Sequence, residues 1–132
     1  MYILSKKKYQ PFLFKKFEIH QNNAAMKIGT DGILLGSWVN CNNKKKGLDV
    51  GTGTGVIAIM MCQKNTKLKM HGIEISKNAC IDAKHNFKSC SWKNNLELFN
   101  YGLEKHNLEF KYDLICSNPP FFKTTYTPNN KE

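Results

Sequence analysis

Hydrophobic positions along the 132-residue chain fall into short runs separated by polar stretches. The clearest begins at Gly47-Leu48-Asp49-Val50, passes through Gly51-Thr52-Gly53-Thr54-Gly55 and continues into residues 56–64, where an unbroken apolar run predicts a buried helix. Residues 69–75 then read as a strand, 78–87 as a helix, 95–99 as a third strand and 112–116 as a fourth. Strands that alternate with helices must cross over to lie parallel, so the pattern predicts an α/β fold around a mostly parallel sheet. Upstream, residues 12–20 alternate imperfectly and suit a strand or hairpin, and residues 32–39 suit a short helix capped by Asp31 or Thr30. The expected organisation is an extension over residues 1–45 followed by a core over residues 46–132, without internal repeats.

Composition adds little to that outline. The hydrophobic fraction of 41% and charged fraction of 23% are those of a folded domain in water. No stretch at the start resembles a secretory signal, and the longest apolar run, residues 56–62, is too short to span a bilayer, so a cytoplasmic location without membrane contact is expected. Cys41, Cys62, Cys80, Cys90 and Cys116 are odd in number and never paired as Cys-x-x-Cys, which argues against a disulfide framework and against a metal site. The net charge of +10 suits a polyanionic partner. Every basic residue is lysine and asparagine is abundant, a pattern that base composition alone can produce. The runs at residues 6–8 and 44–46 are therefore solvated surface first and contacts to RNA second.

Chemistry enters at the carboxyl ends of the predicted strands, where ligands bind in open α/β sheets. Asp49-x-Gly51-x-Gly53-x-Gly55 lets the backbone turn tightly and approach a ligand, although a plain glycine turn is the competing reading. Its spacing is neither that of the dinucleotide fingerprint nor that of a phosphate-binding P-loop. Glu74 closes the next strand about 20 residues on, the spacing at which a carboxylate accepts the hydroxyls of an adenosine ribose. Together they point to an adenosine-containing cofactor. The fourth strand ends in Asn118-Pro119-Pro120-Phe121.

That last motif resembles the Asn-Pro-Pro-Tyr/Phe sequence of amino-methyltransferases, and the glycine segment resembles their S-adenosylmethionine motif. With residues 26–36 added (Met-Lys-Ile-Gly-Thr-Asp-Gly-Ile-Leu-Leu-Gly), the chain resembles the bacterial enzymes that methylate N6 of adenine-37, beside the anticodon of tRNA(Val). The resemblance implies a Rossmann-like class I methyltransferase acting on tRNA as a monomer. Asn118, Pro119, Pro120 and Phe121 would form the catalytic motif: the Asn118 side-chain oxygen and the Pro119 carbonyl accept the amine's N–H bonds, and Phe121 stacks on a base taken out of its own stack. Asp49, Gly51, Gly53, Gly55 and Glu74 would bind the cofactor, with Thr30 and Asp31 near its methionine end. Asn100 stands where the family carries an aspartate toward the cofactor's adenine amine, and would accept that bond without charge assistance. His20, His71, His85 and His106 are expected at the surface or in packing.

The resemblance further implies a seven-stranded sheet, of which this chain would supply four strands and would be incomplete on its C-terminal side, leaving the fourth as an edge with exposed apolar faces. Two alternatives compete: an inactive remnant that keeps an RNA-binding surface, and a protein glutamine N5-methyltransferase, which uses a similar motif on an amide nitrogen. A nicotinamide oxidoreductase fails on glycine spacing.

Overall fold

The computed structural model describes residues 10–107 and 109–120. A two-stranded antiparallel ribbon, β1 (Phe12–Leu13) and β2 (Glu18–Ile19), leads to helix α1 (Thr30–Trp38). The main unit follows: β3 (Lys46–Val50), α2 (Val56–Lys64), β4 (Lys69–Ile73), α3 (Lys77–Ser89), β5 (Leu96–Phe99) and β6 (Leu114–Ser117). Its four strands are all parallel, in the order β5-β4-β3-β6. The chain thus winds outward from β3 to β5 and then returns to place β6 on the other side of β3, so the strand order reverses at the carboxyl end of β3.

Helix α2 explains why an apolar run with no polar face is stable here. It packs against α1, β3, β4 and α3, and every residue from Val56 to Cys62 is buried. Each large side chain so placed contributes about 1.5–3 kcal/mol by leaving water. Phe17, Ile19, Val39 and Cys41 from the N-terminal elements join the same core as Met61, Leu68, Met70 and Phe87. Helix α3 is amphipathic instead, burying Ala79, Ala83 and Phe87 and turning its lysines outward, with the Ser76 side chain accepting from Ala79 N at 3.2 Å as its cap.

Three expectations need correction. Helix α1 is capped by neither Asp31 nor Thr30: Gly29 is its N-cap, without a side-chain bond, because Ile33 N already reaches the Gly29 carbonyl at 3.3 Å and both polar residues fall inside the first turn. Its far end is held by Lys64, whose ammonium donates to the carbonyls of Gly36, Ser37 and Val39. Strand β4 stops at Ile73, where its neighbour β3 turns away at Gly51. Strand β6 begins at Leu114, opposite Gly47; just before it Asp113 N donates to the Lys46 carbonyl at 3.0 Å, and its carboxylate accepts from Lys45 N and Lys46 N at 2.9 and 3.0 Å, where the backbone of β3 meets a side chain instead of a strand.

Among the described residues β6 pairs only with β3. A cavity of about 620 Å³ lies along it, with Trp38 and Ile115, 82% and 64% exposed, on its walls. No helix among the described residues is long and apolar enough to cross a membrane.

Candidate active site

The reversal of strand order puts the glycine turn, the end of β4 and the end of β6 at one edge of the sheet. Gly51, Gly53 and Gly55 all have positive φ, of 72°, 58° and 84°. Gly51 N and Thr52 N both donate to the Ile73 carbonyl, at 2.9 and 3.0 Å, which pins the turn to β4. A side chain at Gly51 or Gly53 would meet no protein atom within 4 Å, so the space before the turn is open. At Gly55 the reason for glycine differs: a Cβ there would lie 2.4 Å from the Phe87 ring.

Asp49 is 1% exposed and faces the turn from within. Its carboxylate accepts from Thr52 Oγ1 at 2.8 Å and lies 3.7 Å from Cys116 Sγ, tying β3 to both the turn and β6. Burial pushes its pKa up to about 6, against the opposing pull of the Thr52 and Cys116 bonds, and the nearby Glu74 charge adds to the rise. Glu74 is half-buried at the end of β4; its two oxygens accept from Gly53 N and Ser76 N at 2.9 and 3.0 Å, leaving further lone pairs for a ligand. Asn100 sits beside it, with its amide nitrogen donating to the Glu74 and Ile75 carbonyls at 2.8 and 3.3 Å.

On the other side of the turn, Ser117 Oγ donates to the Val50 carbonyl at 2.8 Å and fixes where β6 delivers Asn118. Asn118 approaches α1 so closely that a Cβ on Gly32 would lie 3.3 Å from its amide nitrogen. Two adjoining cavities, of about 40 and 240 Å³, share Met26, Lys27, Gly29, Gly32 and Asn118. The smaller is closed by the glycine turn, and the larger by Thr30, Asp31 and Pro119. Pro120 follows as an exposed residue, while Phe121 lies outside the described residues. Thr30, Asp31, Gly51, Gly53, Asn118 and Pro119 thus meet in one cleft, whereas Glu74 holds the turn from the β4 side, Asn100 borders the space between α3 and β5, and Asp49 lies buried beneath the turn. Larger cavities flank the edge strands: one of about 500 Å³ between α3 and β5, bordered by Lys77, Lys84, Lys88, Lys93, Glu97 and Asn100, and one of about 620 Å³ beside β6 with mostly apolar walls.

The chain that walls the cleft is held by residues that the sequence patterns did not single out. Asp82 accepts from Asn23 N, Asn23 Nδ2 and Ala24 N at 2.7–2.9 Å. Asn86, one turn on, is fully buried; its oxygen accepts from His20 N at 2.8 Å and its amide nitrogen donates to the His20 and Thr54 carbonyls at 2.9 and 2.8 Å. Lys27 then donates to the Gln21 and Ala24 carbonyls at 2.6 and 2.5 Å. The one signal in the sequence was two polar residues at i and i+4 on the face that Ala79, Ala83 and Phe87 mark as buried. No group of three or more His, Cys, Asp or Glu side chains among the described residues is placed to hold a metal ion.

A parallel sheet that reverses at a strand–glycine turn–helix unit, with a carboxylate closing the neighbouring strand, is Rossmann-like, the fold on which class I methyltransferases are built. Solved structures share the fold: the human methyltransferase 10 domain containing protein has a TM-score of 0.57 at 17% identity over 76% of this chain and 52% of that one. An O-methyltransferase of a polyketide synthase multienzyme of Brevibacillus brevis, solved with S-adenosyl-L-homocysteine, has a TM-score of 0.56 at 23% identity over 66% and 29%. Residues 13–130 match the methyltransferase small domain family, and the chain belongs to it. Among its relatives are proteins named tRNA1(Val) (adenine(37)-N6)-methyltransferase. That of Trichodesmium erythraeum is 44% identical over 91% of this chain and 52% of its own length, and that of Histophilus somni 42% identical over 88% and 50%. The chain spans about half the length of these relatives.

Proposed function

We propose that the chain carries the cofactor cradle and the base-holding motif of an S-adenosylmethionine-dependent enzyme that methylates N6 of adenine-37 in tRNA(Val), in the cytoplasm. The observation that carries this reading is the convergence of Asn118 and Pro119 with the glycine turn around one cleft. The names of the relatives supply the substrate.

The residues present fit the cofactor. Gly51 and Gly53 open their backbone onto free space that any side chain would enter, and Glu74 keeps acceptor capacity beside them. Gly51, Gly53 and Glu74 would hold the adenosine part, Asn100 would offer its amide oxygen to the adenine amine, and Thr30 and Asp31 would wall the methionine end. Asp49 would shape the turn from behind. When bound, S-adenosylmethionine supplies a methyl group on a positively charged sulfur.

The task left to the protein is orientation. The lone pair of an adenine amine is delocalised into the ring, so the amine is a poor nucleophile unless its geometry is fixed. Asn118 Oδ1 and the Pro119 carbonyl accept its two N–H bonds and hold the lone pair toward the cofactor side of the cleft. Phe121 would stack on the base, and Pro120 would stiffen the backbone between acceptors and ring.

The test is transfer of a labelled methyl group to unmodified tRNA, with Asn118→Ala as the paired variant. Loss of one such fixed hydrogen-bonding group should lower the rate about 10²–10³-fold while binding of S-adenosylhomocysteine is retained. Equal transfer by both proteins would refute the assignment of Asn118, and label on a protein glutamine instead of tRNA would replace the substrate.

A further inference from the structure

The face of the sheet opposite α2 and α3 carries a cluster of rings and titratable groups that the site does not use. His71 on β4 and Glu97 and Phe99 on β5 point to this face, because their neighbours Met70, Leu96 and Leu98 pack on the other. Residues 100–107 and 109–113 cross over them and bring Tyr101, His106, Phe110 and Tyr112. It matters to the site at both ends: Asn100 grips the carbonyls of Glu74 and Ile75, and Asp113 leads directly into β6 and Asn118.

The polar atoms of the cluster form one chain. Tyr101 OH lies 2.9 Å from His106 Nδ1, His106 Nε2 lies 2.6 Å from Tyr112 OH, and Tyr112 OH lies 2.8 Å from His71 Nδ1. His71 Nε2 in turn faces Glu97 Oε2 at 3.4 Å. Two imidazoles therefore share one hydroxyl, which has a single proton to give.

That sharing constrains every proton in the chain. Glu97 can only accept, which puts the proton of neutral His71 on Nε2 and leaves Nδ1 to accept from Tyr112. Tyr112 oxygen must then accept from His106 Nε2–H, and His106 Nδ1 accepts from Tyr101. One added proton is accommodated. On His106 it reverses only the Tyr101 bond; on His71 it reverses the Tyr112 and Tyr101 bonds and leaves each satisfied. A second proton is accommodated only at a cost. Both imidazolium N–H groups would then point at the same oxygen, its own hydrogen would lose both acceptors, and two positive charges would stand one hydroxyl apart.

We propose that His71, Tyr112 and His106 form a clamp that takes a first proton more readily than a second, and that the second proton releases residues 100–107 and 109–113, with Asn100, from the sheet. Other charged groups act in the same sense or too weakly to cancel it. Glu97 favours a proton on His71, but its side chain is 63% exposed, so solvent screens it. Lys46 on β3 and His106 itself both oppose that proton, and desolvation, the largest influence, also lowers the basicity of His71. The Tyr112 and Tyr101 hydroxyls, whose acidities are pushed further down in strength mainly by desolvation, stay protonated throughout.

The experiment is a titration of the ¹⁵N-labelled chain, read through the imidazole nitrogens, the Asn100 side-chain amide and amide hydrogen exchange over the segment. At high pH both histidines should be Nε2–H tautomers. As pH falls their signals should move together in a first step, and a second proton should bind at least tenfold more weakly. The Asn100 amide should move, and exchange should accelerate, only in that second step. In Tyr112→Phe the two histidines should titrate separately, whereas Tyr101→Phe, which keeps the shared hydroxyl, should retain the two linked steps. Independent titration of His71 and His106 in the unmodified chain, or an Asn100 amide that stays still through the second step, would overturn the clamp. Both readings come from the unmodified chain, so they decide the matter even if Tyr112→Phe does not fold.

Discussion

Replacing Asn86 by alanine should cost far more than the loss of a small polar side chain suggests. The side chain is fully buried and uses its whole amide, accepting from His20 N and donating to the carbonyls of His20 and Thr54. Alanine would leave those three backbone groups without their partner, at about 1–1.5 kcal/mol each, and water reaching the half-buried His20 would recover part of that. The expected loss is roughly 2–4 kcal/mol, a large share of the 5–15 kcal/mol that holds an ordinary domain together. For a chain of this size it lowers the melting temperature by roughly 10 °C. Urea unfolding gives the energy, and amide exchange at residues 20–24 locates it. Lys84→Ala, on the exposed face of the same helix, should change stability by less than about 0.5 kcal/mol. A loss below about 1 kcal/mol in Asn86→Ala, or unchanged exchange at His20, would refute the claim that this residue anchors the chain walling the cleft.

Gly55→Ala should destabilise by roughly 2–4 kcal/mol, combining the left-handed backbone with a Cβ 2.4 Å from the Phe87 ring. Urea unfolding of the variant paired with Phe87→Leu should return the steric part and leave the backbone part. Asp49 gives a pH dependence of defined sign. Its native pKa, raised to about 6 from 3.8, means that folding favours the protonated form. That contribution is complete below the unfolded value and is lost as pH rises through the native one, about 3 kcal/mol in all. Unfolding curves at pH 4 and pH 7.5 should therefore differ more for the unmodified chain than for Asp49→Asn, and parallel behaviour would count against a buried, strained carboxylate.

What could be read from the sequence depended on the range of the interaction. The β3–turn–α2 unit was legible because strand, glycines and helix are contiguous, and its sheet neighbours followed from the alternation of elements. The start of α1 is not legible because an N-cap is decided by which carbonyl the fourth residue along reaches, and Gly29 competes equally with the polar residues after it. Asp82 and Asn86 are not legible for a different reason: their partners in residues 20–24 lie 58–66 residues away and Thr54 lies 32 away, and nothing local says that residues 20–24 return to α3. The histidines were expected at the surface or in packing, and His71 and His106 do pack, yet their shared hydroxyl emerges only when residues 100–107 and 109–113 fold back. Asn100 was read as an acceptor for the cofactor; its amide nitrogen proves to be spent on the backbone of Glu74 and Ile75, which leaves its oxygen as the free end.

The return of β6 to β3 also sets an order of events in time. The glycine turn is built from residues 49 to 75, close enough along the chain to meet soon after they leave the ribosome. Asn118 reaches the same place only after β6 registers with β3 and Ser117 finds the Val50 carbonyl, 67 residues upstream. Closing so long a loop is slow compared with local winding. The glycine turn therefore matures before Asn118 arrives, and on the proposed function a nascent chain would pass through a stage at which the turn is built but nothing yet presents an amine to it.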